Sequence, residues 1–560
     1  MSTEKNKVRT IAEWVVGLQY EDIPKRIIEK AKQQIFSVLG AAHAGYLSEG
    51  GQNLVQTVRQ WGNPGKCTII PCGDKSSMHN ALLVNASLSC VHDYDDYLFM
   101  GHTGHSAVMA SLALCEEEGL TFKDMVTAQV IASEVEGRLG ASVMLGPQNG
   151  QLWTFIHLAG GACIGGKLLK LTVEQMENAL GIALSQPNFA LWPGFMGSQS
   201  KILVAGTTSV GGIQAAQLAR NGMTGPTDIL DNPGGFYSQF SYYPLKAFIS
   251  GFGQAWVTDT IAFKIYPGCA YIDTTIDALL EILKKYEAEK GKKLLAEDVG
   301  EIIIEASRLT TEMEALSHSQ LRERLSPINI NFSIPLNVAI TVLAGRLTVE
   351  ELDQEELDRN DKAIRELASR VKLTHDLSFT LNLTSHFYRA IDLGRLLAGL
   401  RLKDIRRIIS RSRTQYAGDL GLGLRELPVI WRKLPPDMKE KIKSGIRKAL
   451  LSLLNPQRGK DKKPYDLGDY NLEKVTLPFS ARVTLKTGEG KTFTAQQDIP
   501  YGAQGHPPEE IARQVEDKFV RESSRLLSPD QVKQAVKLIK DLPLDDKVEK
   551  LTEAACLRKS

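Results

Sequence analysis

The chain has 560 residues, 43% hydrophobic and 24% charged, with a net charge of +2. That is more apolar material than one core usually holds, and the near-neutral balance gives no ground for a nucleic-acid partner, so a two-domain globular protein is expected. No stretch approaches the ~18 consecutive apolar residues of a membrane span, and the opening MSTEKNKVRT lacks the apolar core of a leader, so a soluble, cytoplasmic protein is expected. The seven cysteines, Cys67, Cys72, Cys90, Cys115, Cys163, Cys269 and Cys556, contain no C-x-x-C pair, a pattern unlike a zinc ribbon or a disulfide framework.

The first 260 residues read mainly as helices. Ile23, Ile27, Ile28, Ala31, Ile35, Phe36 and Leu39 follow helical spacing, with Asp22 and Pro24 placed for the N-cap and first turn. Thr121 and Asp124 form a capping-box pattern before a helix running to Gly140, and Thr172 with Gln175 forms another. Gly160, Gly161, Gly165 and Gly166 precede Lys167-Leu-Leu without the strand of a nucleotide loop; they predict close approach of a second helix, the alternative being a ligand against the backbone.

After about residue 260 the texture changes. Glu301–Ala306 reads as a strand, and Ala481–Leu485 and Thr492–Gln496 read as two strands about a Gly-containing loop. The expected architecture is mainly α with α+β: a large all-helical domain over 1–260 and a smaller α/β lid over 261–505. A basic helical insertion at about 375–470 interrupts the lid, and C-terminal helices over 506–560 return to the helical domain. Residues 401–464 hold 18 Lys or Arg against 6 Asp or Glu, a net of +12. Met438, Ile442, Ile446, Leu450 and Leu454 recur every four residues there among lysines and arginines, which predicts a basic amphipathic helix. That helix either packs on the lid or attracts an anionic ligand, such as coenzyme A, or an anionic membrane surface.

The densest ionisable cluster is Cys90-Val-His92-Asp93-Tyr94-Asp95-Asp96-Tyr97, continuing to His102-Thr-Gly104-His105. Such a loop supplies a general base, a general acid and mutual tuning of their pKa values. His and Asp are also common metal ligands, so a hydrolytic metal site on His92, Asp93, His102 and His105 is a second reading. A capped helix start with satisfied polar groups is a third.

The order His92-Asp-Tyr-Asp-Asp96 then His102-Thr-Gly104 resembles the H-x-x-D-F-D-D-T and H-P-x-G signatures of the MmgE/PrpD family of 2-methylcitrate dehydratases and cis-aconitate decarboxylases. Further similar stretches follow in order: Glu134-Val-Glu-Gly-Arg138, Ala179-Leu-Gly-Ile-Ala183, Lys201 before a helix, Gly222-Met-Thr-Gly-Pro226, Lys264-Ile-Tyr-Pro-Gly-Cys269 and Phe332-Ser-Ile-Pro335. The resemblance covers most of the chain except about 375–470. It implies a cleft between a helical domain and a lid, a homodimer, and lyase or isomerase chemistry with no metal and no cofactor.

The resemblance also assigns roles. Asp93, His102 and Lys201 fall on catalytic positions, and Lys264 on a substrate-binding one. Tyr97 stands where the family has threonine, Gln151 where it has histidine, with His157 one or two turns on; Val204 and Cys269 stand at further histidine positions. On this basis Tyr97, Gln151, Cys269 and His157 join Lys264 as substrate-binding candidates, and 2-methylcitrate and cis-aconitate are expected to be poor substrates. The retained residues suit proton abstraction beside a carboxylate: Lys201 and Lys264 hold the carboxylate and stabilise the developing charge, and His102, oriented by Asp93, moves the proton. The expected function is a cofactor-independent dehydratase or decarboxylase for a small or carrier-linked carboxylate. A related isomerase or epimerase, a metal-dependent hydrolase and a non-catalytic binding protein are the alternatives.

Overall fold

The computed structural model describes residues 6–98, 101–147, 150–151, 153–391, 393–396 and 465–557, with isolated positions between 403 and 443. Met438, Ile442, Ile446, Leu450 and Leu454, which carry the expected basic helix, lie outside the described residues.

The N-terminal part is helical: α1 (Lys7–Gly17), α2 (Lys25–Tyr46), α3 (Glu49–Trp61), α4 (Met78–Ser89), α5 (Gly104–Glu118), α6 (Phe122–Ser142), α7 (Ile156–Leu168), α8 (Val173–Ser185), the short α9 (Trp192–Gly197) and α10 (Leu203–Arg220). Both predicted capping boxes form, with Thr121 N donating to Asp124 Oδ2 at 3.0 Å and Thr172 N to Gln175 Oε1 at 3.0 Å. At α2 the start differs from expectation. Asp22 accepts from Gln19 N to close a separate short turn, and Pro24 is the N-cap, its fixed φ suiting the first turn.

The glycines of α7 serve two ends. At Gly161 an added Cβ would stand 2.5 Å from Ser209 O, and at Gly165 2.5 Å from the Ala216 Cβ, so both allow α10 to cross closely, as predicted. Gly160 faces a side chain instead, as described below. The helix Gln199–Arg220, which includes α10, is long and apolar enough to cross a membrane; over half of its most apolar window is buried, and α10 packs against α4, α7 and α8.

Small pairings join distant segments: β1 (Cys67–Ile69) with β2 (Asp74–Ser76), β3 (Asp96–Tyr97) with β6 (Ala262–Phe263), and β4 (Gly150–Gln151) with β5 (Ala190–Leu191). The second part holds a four-stranded sheet ordered β10-β9-β7-β8, built from β7 (Val299–Ala306), β8 (Val371–His375), β9 (Ala481–Thr487) and β10 (Thr492–Gln497). The predicted hairpin is β9–β10; β8, parallel to β7, is an addition, whose alternation rests on Val371 and Leu373 alone, a short signal beside the preceding helix. Ile302, Ile304, Val483 and Leu485 alternate with outward residues and form a second apolar cluster with Ile276, Leu279, Val338 and Ile340. The fold is therefore mainly α with a smaller α/β lid.

The final helices, α19 (Pro508–Ser524), α20 (Pro529–Asp541) and α21 (Glu549–Ala554), follow α11 (Tyr237–Phe240), α12 (Ala270–Lys290), α13 (Arg308–His318), α14 (Pro327–Ile330), α15 (Ile334–Ala344), α16 (Gln354–Ala368), α17 (Leu377–Ala390) and α18 (Leu393–Leu396). They return to the first core: Val515, Phe519 and Ile539 join its cluster, and Phe519 meets Phe36 of α2 with ring centroids 5.4 Å apart.

Candidate active site

The ionisable loop 90–103 is the link between α4 and α5, and its shape is set by two anchors. The first is the β3–β6 ladder, in which Asp96 pairs with Phe263 and Tyr97 with Ala262. Lys264 follows β6 directly, so the ladder delivers it to the loop, where its N–H donates to Asp95 O at 3.1 Å. The second anchor comes from the lid: Asn331 Nδ2 donates to Val91 O at 3.0 Å, and Gly268 N donates to His92 O at 2.9 Å. Between them Asp93 adopts a left-handed backbone, φ 50°, which a non-glycine residue rarely keeps without such restraint.

Asp93 is buried and shared by two lysines. Lys201 Nζ donates to Oδ1 at 2.9 Å and Lys264 Nζ to Oδ2 at 2.9 Å. Lys264 also reaches Asp95 Oδ1 at 2.8 Å, and Asp95 Oδ2 lies 3.0 Å from His105 Nε2 and 3.4 Å from His102 Nδ1. Lys201 comes from the turn that opens α10, and its ammonium stands 4.8 Å from the Phe332 ring centre and 5.5 Å from that of Phe195. Those faces contribute cation–π attraction while excluding water.

Burial alone would raise both carboxyls, but Lys201 and Lys264 hold Asp93 below the usual range, and His105 and Lys264 do the same for Asp95. Burial would depress Lys264 and His105, yet Asp93 and Asp95 hold the lysine up and Asp95 raises the imidazolium well above an ordinary histidine. Asp96 behaves differently: burial and the neighbouring Asp95 charge push it up to about 6. Two carboxylates thus face three cations, Lys201, Lys264 and His105, and Asp96, ionised above about 6 and held by Gln34 away from the cavity, supplies a third negative charge. At the cavity wall itself Lys201 and His105 face Asp93 alone, so an anion is the complement there.

A small cavity of about 30 Å³ opens on this network, lined by Asp93, His102, His105, Gln151, His157 and Lys201, together with Cys90, Trp153, Thr154, Ile156, Phe195 and Val204. The structure therefore brings together five of the eight predicted residues: Asp93, His102, Lys201, Gln151 and His157. Lys264 is wholly buried behind Asp93 and does not line the cavity; its three contacts make it a clamp on the loop. Tyr97 packs with Ala262, Ala270 and Ala503 and meets the Phe479 ring, away from the lining. Cys269 also lies outside the lining, with its backbone N–H donating to Asn331 O at 2.8 Å.

His102 is oriented by Asp96 O, 3.2 Å from Nδ1, and by Asp95, whereas Asp93 is committed to the lysines. This corrects the expected Asp93–His102 pairing. The cause is the left-handed turn at Asp93 together with two lysines that close on it from 108 and 171 residues away. Residue patterns also missed Asp95, the hub between lysine and imidazoles, and the buried chain Glu136–Ser106–His157. His105, a candidate metal ligand in the sequence, pairs with Asp95 and with Ser89 Oγ at 2.8 Å. The D-x-D-D spacing was the one available signal.

The MmgE/PrpD N-terminal domain profile matches residues 9–248 and the MmgE/PrpD C-terminal domain profile residues 266–395. The chain belongs to the MmgE/PrpD family. A cis-aconitate decarboxylase of Aspergillus terreus is 27% identical over 294 residues, covering 49% of this chain and 60% of that protein. The chain thus spans less than two thirds of that relative's length. The Homo sapiens cis-aconitate decarboxylase is 25% identical over 471 residues, 80% of this chain and 89% of its own length, and the Mus musculus protein is 23% identical over 382 residues. These relatives of the MmgE/PrpD chain are lyases by name. The family profiles end at residue 395, before the basic stretch 401–464.

Proposed function

We propose that this MmgE/PrpD chain is a cofactor-independent lyase that decarboxylates or dehydrates a small or carrier-linked carboxylate. One observation carries the reading: the Lys201 ammonium and the His102 and His157 imidazoles line one cavity, at whose wall the cations Lys201 and His105 face Asp93 alone. Lys201 meets a substrate carboxylate. As a C–C bond breaks and carbon dioxide leaves, its electron pair remains on the substrate carbon, delocalised into the neighbouring carboxylate. The fixed cations stabilise that charge without reorganising, and an imidazole delivers the proton that forms the new C–H bond. In the dehydration variant an imidazole removes the C–H proton and the C–O bond breaks, hydroxide leaving as water.

The decarboxylase form is favoured by the names of the relatives, so cis-aconitate is the first compound to test. Two of the three grounds for expecting it to be a poor substrate, Tyr97 and Cys269, lie outside the cavity lining. The hydrolase reading gains no support from this geometry: His92 is not in the lining, and among the described residues no three His, Cys, Asp or Glu side chains converge on a point for an ion.

The test is to incubate the full chain with cis-aconitate, 2-methylcitrate and smaller hydroxy- and unsaturated carboxylates in deuterated water, following products by NMR. Loss of carbon dioxide or water with deuterium on the product carbon supports the lyase. Deuterium exchange without loss of either assigns an isomerase instead, and hydrolysis that requires added metal overturns the proposal.

A further inference from the structure

Behind the cavity, away from the lysines, His157 heads a second polar chain whose inner members, Ser106 and Glu136, the proposed reaction has not used. His157 stands in the first turn of α7, with Nδ1 2.8 Å from Ser106 Oγ. Ser106, on α5, lies 2.7 Å and 2.9 Å from the two carboxyl oxygens of Glu136 on α6. Glu136 and Ser106 have no solvent exposure, and His157 is 4% exposed. Three helices therefore each place one polar residue in a compact chain from the apolar core to the cavity wall, with Ser106 the nearer partner of His157 Nδ1 and Glu136 Oε2 3.4 Å from the same nitrogen.

The space for the carboxyl is provided by sequence. At Gly160, one turn beyond His157, an added Cβ would stand 1.6 Å from Glu136 Oε1 and 2.5 Å from its carboxyl carbon. Gly160 is thus not a helix-crossing glycine like Gly161 and Gly165; it leaves the cradle in which Glu136 sits.

We propose that Glu136, acting through Ser106, is a positioning residue that sets which nitrogen of His157 carries the proton, and so makes His157 a proton donor toward the cavity. Ser106 has one hydrogen to give. When Glu136 is protonated, its O–H donates to Ser106 Oγ, and the serine hydroxyl donates to His157 Nδ1, the acceptor at 2.8 Å, in preference to Thr103 O at 3.1 Å. The ring proton then resides on Nε2, the nitrogen left for a ligand. When Glu136 is ionised the hydroxyl turns to the carboxylate, His157 Nδ1–H donates to Ser106, and Nε2 becomes a bare base.

Burial, with the Asp96 charge, holds Glu136 well above an ordinary glutamic acid, and burial with the nearby His105 and His102 holds His157 in its neutral form. The other titratable neighbours of Glu136 are Cys163 and, through its imidazolium, His105. The resting state is therefore the donor tautomer. Resting on the lyase reading, turnover follows in balance. The Nε2 proton passes to the substrate carbanion as the Ser106 hydrogen moves to Nδ1 and the Glu136 proton moves to Ser106. Glu136 is left ionised and His157 neutral, and a proton from water entering at Nε2 resets the chain.

The experiment reads the tautomer directly. Full-length protein labelled with ¹⁵N-histidine is compared with Glu136→Gln and Ser106→Ala, with His157→Asn to assign the signal. Glu136→Gln keeps a donor to Ser106, so His157 stays protonated on Nε2 at every pH where the fold persists, yet the chain can no longer pass a proton and kcat falls about 10²-fold with KM little changed. Ser106→Ala releases the ring into mixed tautomers, and Glu136→Asp partly restores turnover. An Nδ1–H tautomer in the unmodified protein, or a tautomer unmoved by Ser106→Ala, overturns the proposal. A protein that shows the expected tautomers but turns over none of the carboxylates keeps the hydrogen-bond chain and sinks the lyase reading instead.

Discussion

Lys264 Nζ lies 2.8 Å from Asp95 Oδ1, both residues without solvent exposure, and the same ammonium reaches Asp93 at 2.9 Å. A lysine in this position compensates two buried negative charges at once. Its removal leaves both carboxylates short of a partner in a low-dielectric interior, where breaking one side of a buried pair typically costs about 3–5 kcal/mol. Lys264→Ala is therefore expected to lose stability in that range in urea unfolding. A loss below about 1 kcal/mol would mean that the loop is held by its backbone anchors alone.

Lys201 should behave differently, since Asp93 keeps Lys264 when Lys201 is removed. Lys201→Ala and His102→Ala are expected to lower kcat about 10²-fold or more while the far-UV circular dichroism is retained, the size typical of positioned charge and proton transfer. Near-normal turnover in either variant removes that residue from the mechanism.

The contrast between these lysines shows what the sequence could and could not convey. The loop His92–His105 stood out because so many titratable groups fall in so few residues, and its link to two lysines followed from family resemblance. The division of labour did not follow. Whether a lysine meets a ligand or lies beneath the site depends on a ladder only two residues long and on one left-handed turn, neither of which leaves a periodic trace. The helices were legible from capping boxes at Thr121 and Thr172, and the hairpin from its turn. Tyr97 and Cys269 read as site residues because they replace family side chains, but substitution at an aligned position says nothing about where the new side chain packs.

Neighbouring glycines of α7 should separate stability from activity. In Gly161→Ala the new methyl meets backbone, Ser209 O and Gly212, so α10 must shift, at a cost of about 1–3 kcal/mol. In Gly160→Ala its three nearest neighbours all belong to the Glu136 side chain, whose flexible end can rotate away. Gly160→Ala should therefore lose turnover before stability, and Gly161→Ala stability before turnover, as read by paired kinetic and thermal-melting measurements. The reverse order would show that Gly160 is a packing residue only.

The last prediction concerns Lys518 of α19, whose ammonium is fully buried against the face of Tyr94, 3.9 Å from the ring centre. It donates to Tyr94 O, to Lys264 O at 3.2 Å and to Ser37 Oγ at 2.9 Å, so the C-terminal helix grips the site loop from behind. Burial lowers it to about 7, with Lys264 and Arg521 pushing the same way against the pull of Asp95 and Glu522. In the unfolded chain it titrates near ~10.4. Between these two values the unfolded state binds a proton that the folded state does not, so this residue makes stability rise with pH, by up to about 1.4 kcal/mol per pH unit. Below about pH 7 both states are protonated and the slope disappears. Methionine cannot titrate, and it also leaves the accepting carbonyls unmatched at a cost of about 1–3 kcal/mol. The stability difference between the unmodified protein and Lys518→Met, from urea unfolding at a series of pH values, should therefore widen in favour of lysine from pH 7 to 9.5, with other titrating groups cancelling in the comparison. A difference that stays constant across that window would place Lys518 in the folded state as a permanent ammonium, stabilised by Asp95 and Glu522 despite its burial.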